Sequence, residues 1–123
     1  MSKLDEAFSI EDLKRIAQAN VPSVMFDYLQ GGSEDELTLG WNRNAFEKYE
    51  FVPRVLRNVK DIDLSTEVQG VKLQIPIISA PTGMSRMFHH LGEKAAIRAS
   101  HKAGAGYTLS TVSTTSIEDV AKE

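Results

Sequence analysis

Two apolar, strand-like runs of the 123-residue sequence end in small polar tips. Leu73–Ser79 leads into Ala80-Pro81-Thr82-Gly83, and Tyr107-Thr108-Leu109 leads into Ser110-Thr111. Such tips offer hydroxyls, backbone N–H groups and, at Gly83, a backbone that another body can approach closely. These groups position and polarise a ligand; none is a strong acid or base. Each also has a plain structural reading: Pro81-Thr82-Gly83 as a tight turn, Ser110 and Thr111 as strand-end or capping groups. His89, His90 and Glu93 invite a metal reading, because positions 89 and 93 share a helical face. Adjacent histidines point apart, Gly92 interrupts and no third ligand is near in sequence, so no metal site is expected. Arg54 and Arg57 read as solvated or ion-paired side chains rather than anion sites. Tyr28 on its helix reads by periodicity as a buried ring with a locally bonded hydroxyl.

The elements that must position these groups follow from local signals. Ser9 caps a helix, Ile10 to about Ala19, with Glu11 and Asp12 in its first turn. Pro22 opens a second helix to about Gln30, stopped by Gly31-Gly32. Ser33 caps a third, Glu34 to about Glu47, with Glu34-Asp35-Glu36 as its acidic first turn. Its expected buried stripe is Leu37, Trp41, Ala45 and Phe46. Glu50-Phe51-Val52 is a short extended piece, followed by an irregular polar connection to Asp63. Thr66–Val68 and Val71–Leu73 flank Gln69-Gly70 as a β-hairpin. Ile75, Ile77 and Ile78 suggest a strand buried on both faces, with Pro76 marking its start or an unpaired edge position. Leu91 to Ala103 is a helix whose Ala95, Ala96, Ala99 and Ala103 are expected to let it pack close to a sheet. Tyr107–Leu109 is a second strand, and Ser116 caps a helix beginning at Ile117. Strand–helix–strand–helix with short connections is a βαβ unit with parallel strands, which places both tips on one face.

Composition excludes several classes. The sequence is 41% hydrophobic and 25% charged, ordinary for a globular protein. A net charge of −3 without a basic cluster gives no reason to expect nucleic acid. The absence of cysteine rules out disulfides and thiolate metal sites and permits a reducing compartment. Asp5, Glu6, Glu11 and Asp12, with no apolar h-region, argue against a secretory signal. No apolar run is long enough to span a membrane. The chain is about half the roughly 250 residues of a closed α/β barrel.

With these residues in place, the sequence resembles the FMN-dependent (S)-2-hydroxy-acid dehydrogenase and oxidase family. The matching residues run in order from Phe26 to Ala121. They include Phe26-Asp27-Tyr28, Asp35-Glu36-Leu37-Thr38-Leu39, Pro53-Arg54-Val55-Leu56, Asp63-Leu64-Ser65-Thr66, Ala80-Pro81-Thr82-Gly83-Met84, Gly92-Glu93, Leu109-Ser110-Thr111 and Ile117-Glu118-Asp119-Val120-Ala121. The resemblance implies an α/β fold: the N-terminal portion of a (β/α)8 TIM barrel preceded by helices and a hairpin. Residues 1–72 would be the N-terminal helices and hairpin. Residues 73–123 would be the first βαβ unit and the start of the second barrel helix. By position, Tyr28 matches the family's substrate-binding tyrosine. Pro81, Thr82 and Gly83 match the segment along the flavin, and Ser110 the serine that hydrogen-bonds its ring. The family's catalytic histidine, substrate-carboxylate arginine and flavin-facing lysine come later in such sequences, so no catalytic residue is expected here. His89, His90 and His101 come too early to be the base.

The implied activity of the full-length enzyme is oxidation of a small (S)-2-hydroxy acid, such as L-lactate or glycolate, to the 2-oxo acid. The cofactor is FMN, and the electron acceptor oxygen, quinone or another carrier. A homo-oligomer is implied when the enzyme is full length, in the cytoplasm or peripheral to the inner membrane. This chain corresponds to the N-terminal third; alone it is expected to be inactive, to bind FMN weakly and to self-associate through open strand edges. Three positions depart from or vary within the family. His89-His90 stands where His-Pro is common, Val112 where several oxidases have tryptophan, and Gly83 where several oxidases have alanine. Gly83→Ala is expected to change the ratio of oxygen to dye reduction in the complete enzyme. The alternatives are another FMN-dependent barrel of the isopentenyl diphosphate isomerase type, against which the Tyr28 and Asp35–Leu39 neighbourhoods speak, and a non-catalytic interaction module.

Overall fold

The structure, a computed structural model, describes residues 4–123. It divides into two compact units, Met1–Arg57 and Asn58–Glu123.

The first unit is helical. Helix α1 spans Ile10–Asn20. The Ser9 hydroxyl accepts from the Asp12 N–H at 3.1 Å, and the Asp12 carboxylate accepts from the Ser9 hydroxyl and the Phe8 N–H. This reciprocal cap satisfies helix-end donors. Helix α2 spans Ser23–Gln30 and buries Phe26, 5% exposed. The third helix, α3, begins three residues later than its acidic run suggests, at Leu37, and ends at Asn44, with a 3-10 turn over Ala45–Lys48. Glu34-Asp35-Glu36 is not its first turn. Glu34 and Glu36 have left-handed φ of 51° and 57°, and the Glu36 side chain turns back to accept from the Gly32 N–H at 3.0 Å. That turn interrupts the backbone before any helical ladder can start. The expected stripe on α3 is not buried either: Leu37, Trp41 and Phe46 are 59%, 65% and 79% exposed. Their spacing is helical, but nothing among the described residues covers that face.

The second unit carries the sheets. Asx turns at Asn58 and Asp63, which accept from the Lys60 and Ser65 N–H groups, shape the polar lead-in. Strands β1 (Thr66–Val68) and β2 (Val71–Leu73) pair antiparallel as the hairpin sequence predicts. Positive φ at Gln69 (50°) and Gly70 (82°) gives the turn whose twist suits a two-residue hairpin. Strand β3 is short, Ile78–Ser79, and pairs in parallel with β4, Gly106–Tyr107. The Gly106 and Thr108 N–H groups extend that ladder to the carbonyls of Ile77 and Ser79. Pro76, which has no N–H to give, lies outside the paired segment. Ile77 and Ile78 are 57% and 46% exposed, contrary to a strand covered on both faces. Among the described residues β3 has one hydrogen-bonded neighbour, β4.

Helix α4 (Glu93–Lys102) is the crossover of this βαβ unit and packs on β4. Its buried positions are Glu93, Ile97 and Ser100, one face at helical spacing. The alanines do not form that face: Ala96, Ala99 and Ala103 are exposed, because they fall on other sides of the helix. Ser100 meets Ser79 of β3 hydroxyl to hydroxyl at 3.0 Å. Leu73, Ile97, Ala105 and Val120 complete the small core. At Gly104 (φ 69°) a Cβ would stand 2.5 Å from the Gln74 Cβ. A glycine there lets the Gly104 carbonyl accept from the Gln74 and Ile75 N–H groups at 2.9 and 3.3 Å. Helix α5 (Ile117–Val120) is capped by the Ser116 hydroxyl, as its sequence predicts. Among the described residues no helix is long and apolar enough to cross a membrane.

Candidate binding site at the strand ends

Parallel pairing of β3 and β4 sends both polar tips out of the same sheet edge. They meet. An added Cβ at Gly83 would collide with the Val112 side chain and lie 3.4 Å from the Ser110 Oγ. A glycine at 83 lets the Val112 side chain lie against the backbone of the first tip. Met84 takes a left-handed φ of 52° and donates its N–H to the Val112 carbonyl at 3.0 Å. The Ser110 hydroxyl accepts from the Val112 N–H at 3.2 Å and its carbonyl from the Ser113 N–H at 3.1 Å, which folds the β4 tip into a compact turn.

Among the described residues, the Thr82 and Gly83 N–H groups donate to no protein atom. The Ser110 hydroxyl accepts one bond and keeps its own hydrogen for another acceptor. Free N–H and O–H donors at the tips suit a ligand that carries hydrogen-bond acceptors. Pro81, Thr82, Gly83 and Ser110 are thus brought together. Tyr28 belongs to the other unit, on α2, and is 63% exposed rather than buried. His89 and His90 do not point apart: their rings lie with centroids 4.5 Å apart and tilted by 35°, and among the described residues no three His, Cys, Asp or Glu side chains gather as metal ligands would.

Behind the tips lies a group whose role the sequence did not reveal. Glu93, the first residue of α4, is 0% exposed. Its carboxylate accepts from the Thr114 N–H (2.8 Å), the Thr114 hydroxyl (2.8 and 3.0 Å) and the Thr115 hydroxyl (2.7 Å). Burial alone would raise its pKa, but these hydrogen bonds and its own helix-end N–H outweigh it and lower the value to about 2. The Tyr107 phenol is pushed up by burial and by the nearby Glu93 charge. The Thr114 hydroxyl also accepts from the Arg86 N–H at 3.2 Å. Spacing could not reveal this cluster, since its partners are 21 and 22 residues apart in sequence. The only local signal was a glutamate opening a helix after a glycine.

The chain matches the FMN-dependent dehydrogenase family over residues 17–123. It is 42% identical over 116 residues to glycolate oxidase of Spinacia oleracea, covering 94% of this chain and 31% of that protein. It is 38% identical to (S)-mandelate dehydrogenase of Pseudomonas putida, covering 94% of this chain and 30% of that protein. A crystal structure of mandelate oxidase superposes with a TM-score of 0.89 at 38% identity, over 94% of this chain and 34% of that one. The chain therefore spans about a third of the length of the curated relatives it matches.

Proposed function

The chain belongs to the FMN-dependent dehydrogenase family, and from that premise we propose that it forms the flavin-facing wall of a 2-hydroxy-acid oxidising enzyme. Its fold is the N-terminal part of the family's TIM-barrel architecture, without a closed barrel. The observation that carries the reading is the juxtaposition of Pro81-Thr82-Gly83 with Ser110, which presents unengaged donors at one sheet edge. The Thr82 and Gly83 N–H groups and the Ser110 hydroxyl would hold the ring of FMN, and Pro81 would flank it. When bound, the flavin supplies the two-electron redox chemistry. The chain's own residues orient the ring and fix donors against its acceptor atoms, where they stabilise negative charge without reorganising. Tyr28 would hydrogen-bond the substrate through its phenol.

The proposed reaction is oxidation of a small (S)-2-hydroxy acid to the 2-oxo acid, with oxygen, a quinone or another carrier as final acceptor. Names among the relatives run from glycolate to mandelate, so the family alone does not choose the substrate side chain. Val112, small and 61% exposed beside Gly83, supports a site open on that side. Gly83→Ala would require the Val112 side chain to move, so any change in the ratio of oxygen to dye reduction should be compared with a Val112→Ala background.

The test is anaerobic. The full-length protein carrying this chain should hold a yellow flavin through gel filtration, and L-lactate, glycolate or (S)-mandelate should bleach it. A protein that retains no flavin, or whose flavin none of the three acids bleaches, contradicts the reading. The first of those results would favour a non-catalytic module.

A further inference from the structure

We propose that Glu93, acting through Thr114, is the positioning residue that clasps the two strand-end tips into one flavin-facing wall. This rests on the flavin reading above for what the wall does, but the clasp itself rests on bonds already described. Three segments meet at one hydroxyl. The Thr114 Oγ1 accepts from the Arg86 N–H, just beyond the Pro81-Thr82-Gly83 tip, and donates to the buried Glu93 carboxylate. The Thr114 N–H and Thr115 hydroxyl hold the segment beyond Ser110-Thr111 to the same carboxylate. Glu93 in turn is anchored in α4, whose Ile97 and Ser100 are fixed in the core.

The attachment is one-sided and costly to break. A fully buried carboxylate must have its hydrogen bonds, because losing a donor leaves charge unpaired away from water. The backbone at Gly92 serves the same contact. Its φ is 48°, and a Cβ there would lie 2.5 Å from the Arg86 Cγ and 3.1 Å from the Arg86 nitrogen. A glycine therefore lets the Arg86 turn sit against the start of α4. Without the clasp, the one bond between the tips among the described residues would be that of the Met84 N–H to the Val112 carbonyl. Neither Glu93 nor Thr114 needs to touch the flavin; their effect on it passes through Thr82, Gly83 and Ser110.

The test compares Thr114→Val, which removes the hydroxyl, with Thr114→Ser, which keeps it, in the full-length protein carrying this chain. The primary readout is NMR amide hydrogen exchange at Met84 and Ser113 in the FMN-free protein. Both amides bond within or between the tips, yet neither bonds Glu93 or the Thr114 side chain. Thr114→Val is expected to speed exchange at both by about tenfold, the scale of one lost charge-assisted hydrogen bond, while the β1–β2 hairpin amides stay unchanged. Thr114→Ser should return both to within about twofold of the parent. FMN affinity should follow the same order, with Thr114→Val weakest. Unchanged exchange at Met84 and Ser113, an equal rise in the hairpin, or no rescue by serine overturns the clasp. If Thr114→Val does not fold, Thr115→Val, which deletes one bond to Glu93, must give the same pattern at smaller amplitude, and a flat response there overturns it too. A parent protein that binds no FMN sinks the flavin reading, while the exchange pattern still decides the clasp.

Discussion

The two units of this chain use similar sequence signals and reach different ends. In Met1–Arg57, well-formed helices leave most of their apolar side chains in water, and Phe26 is the one buried side chain among the described residues. In Asn58–Glu123, one helix and short strands gather Leu73, Ile97, Ala105 and Val120 around a fully bonded carboxylate. Helical spacing alone thus does not tell a packed face from an open one. What separates them is whether another element lies across that face, and only long-range pairing such as β3 with β4 supplies one here.

The contrast is sharpest in the core. Ile97→Ala should destabilise the chain by about 2–4 kcal/mol, because its cavity opens between α4 and β4. Urea unfolding followed by circular dichroism checks it, and a cost below about 1 kcal/mol would erase the distinction between the units. Gly92→Ala comes next, with about 1–3 kcal/mol expected from its positive φ and the crowding at Arg86. A neutral substitution there would mean that the Arg86 turn is free to move away from α4.

Acid separates the units in another way. The Glu93 pKa lies below its ordinary value, at about 2, so its contribution is complete above about pH 4.5 and is lost as pH falls toward about 2. Asp12, Asp63, Asp119 and Glu123 are also lowered, but a Glu93→Gln variant keeps all four. The urea midpoint of the parent should therefore fall more steeply than that of Glu93→Gln between about pH 5 and pH 2. Parallel curves would show that the carboxylate bonds do not stabilise the second unit. The smallest effect is expected in the first unit, where Trp41→Ala should shift stability by no more than about 0.5 kcal/mol because the ring is 65% exposed. A larger loss would mean that the α3 face is covered in solution.

Much of the fold was legible because its signals are local. Ser9 and Ser116 announce helix starts through their own hydroxyls, and Gln69-Gly70 announces a hairpin through the φ values its turn requires. The tips were legible for the same reason, since small residues after an apolar run mark a strand end. Two misreadings have one cause. Glu34-Asp35-Glu36 looks like a first turn until Glu36 bonds back to Gly32. The alanines of α4 look like a packing stripe until Ile97 and Ser100 fix the helix rotation. In each, a specific contact overrides a propensity that sequence alone can read. In the sequence Glu93 stands after a glycine and near histidines without its role showing, because its partners are supplied by the loop that follows the next strand.

The central claim is that Thr82, Gly83 and Ser110 form a wall against the flavin ring. Titration of FMN into the isotopically labelled, full-length apoprotein, followed by NMR, tests it most directly. The Thr82 and Gly83 amide protons, which donate to no protein atom among the described residues, should move and become protected from exchange with Ser110, while α1 amides stay in place. Tight FMN binding that leaves Thr82, Gly83 and Ser110 unshifted would contradict the account.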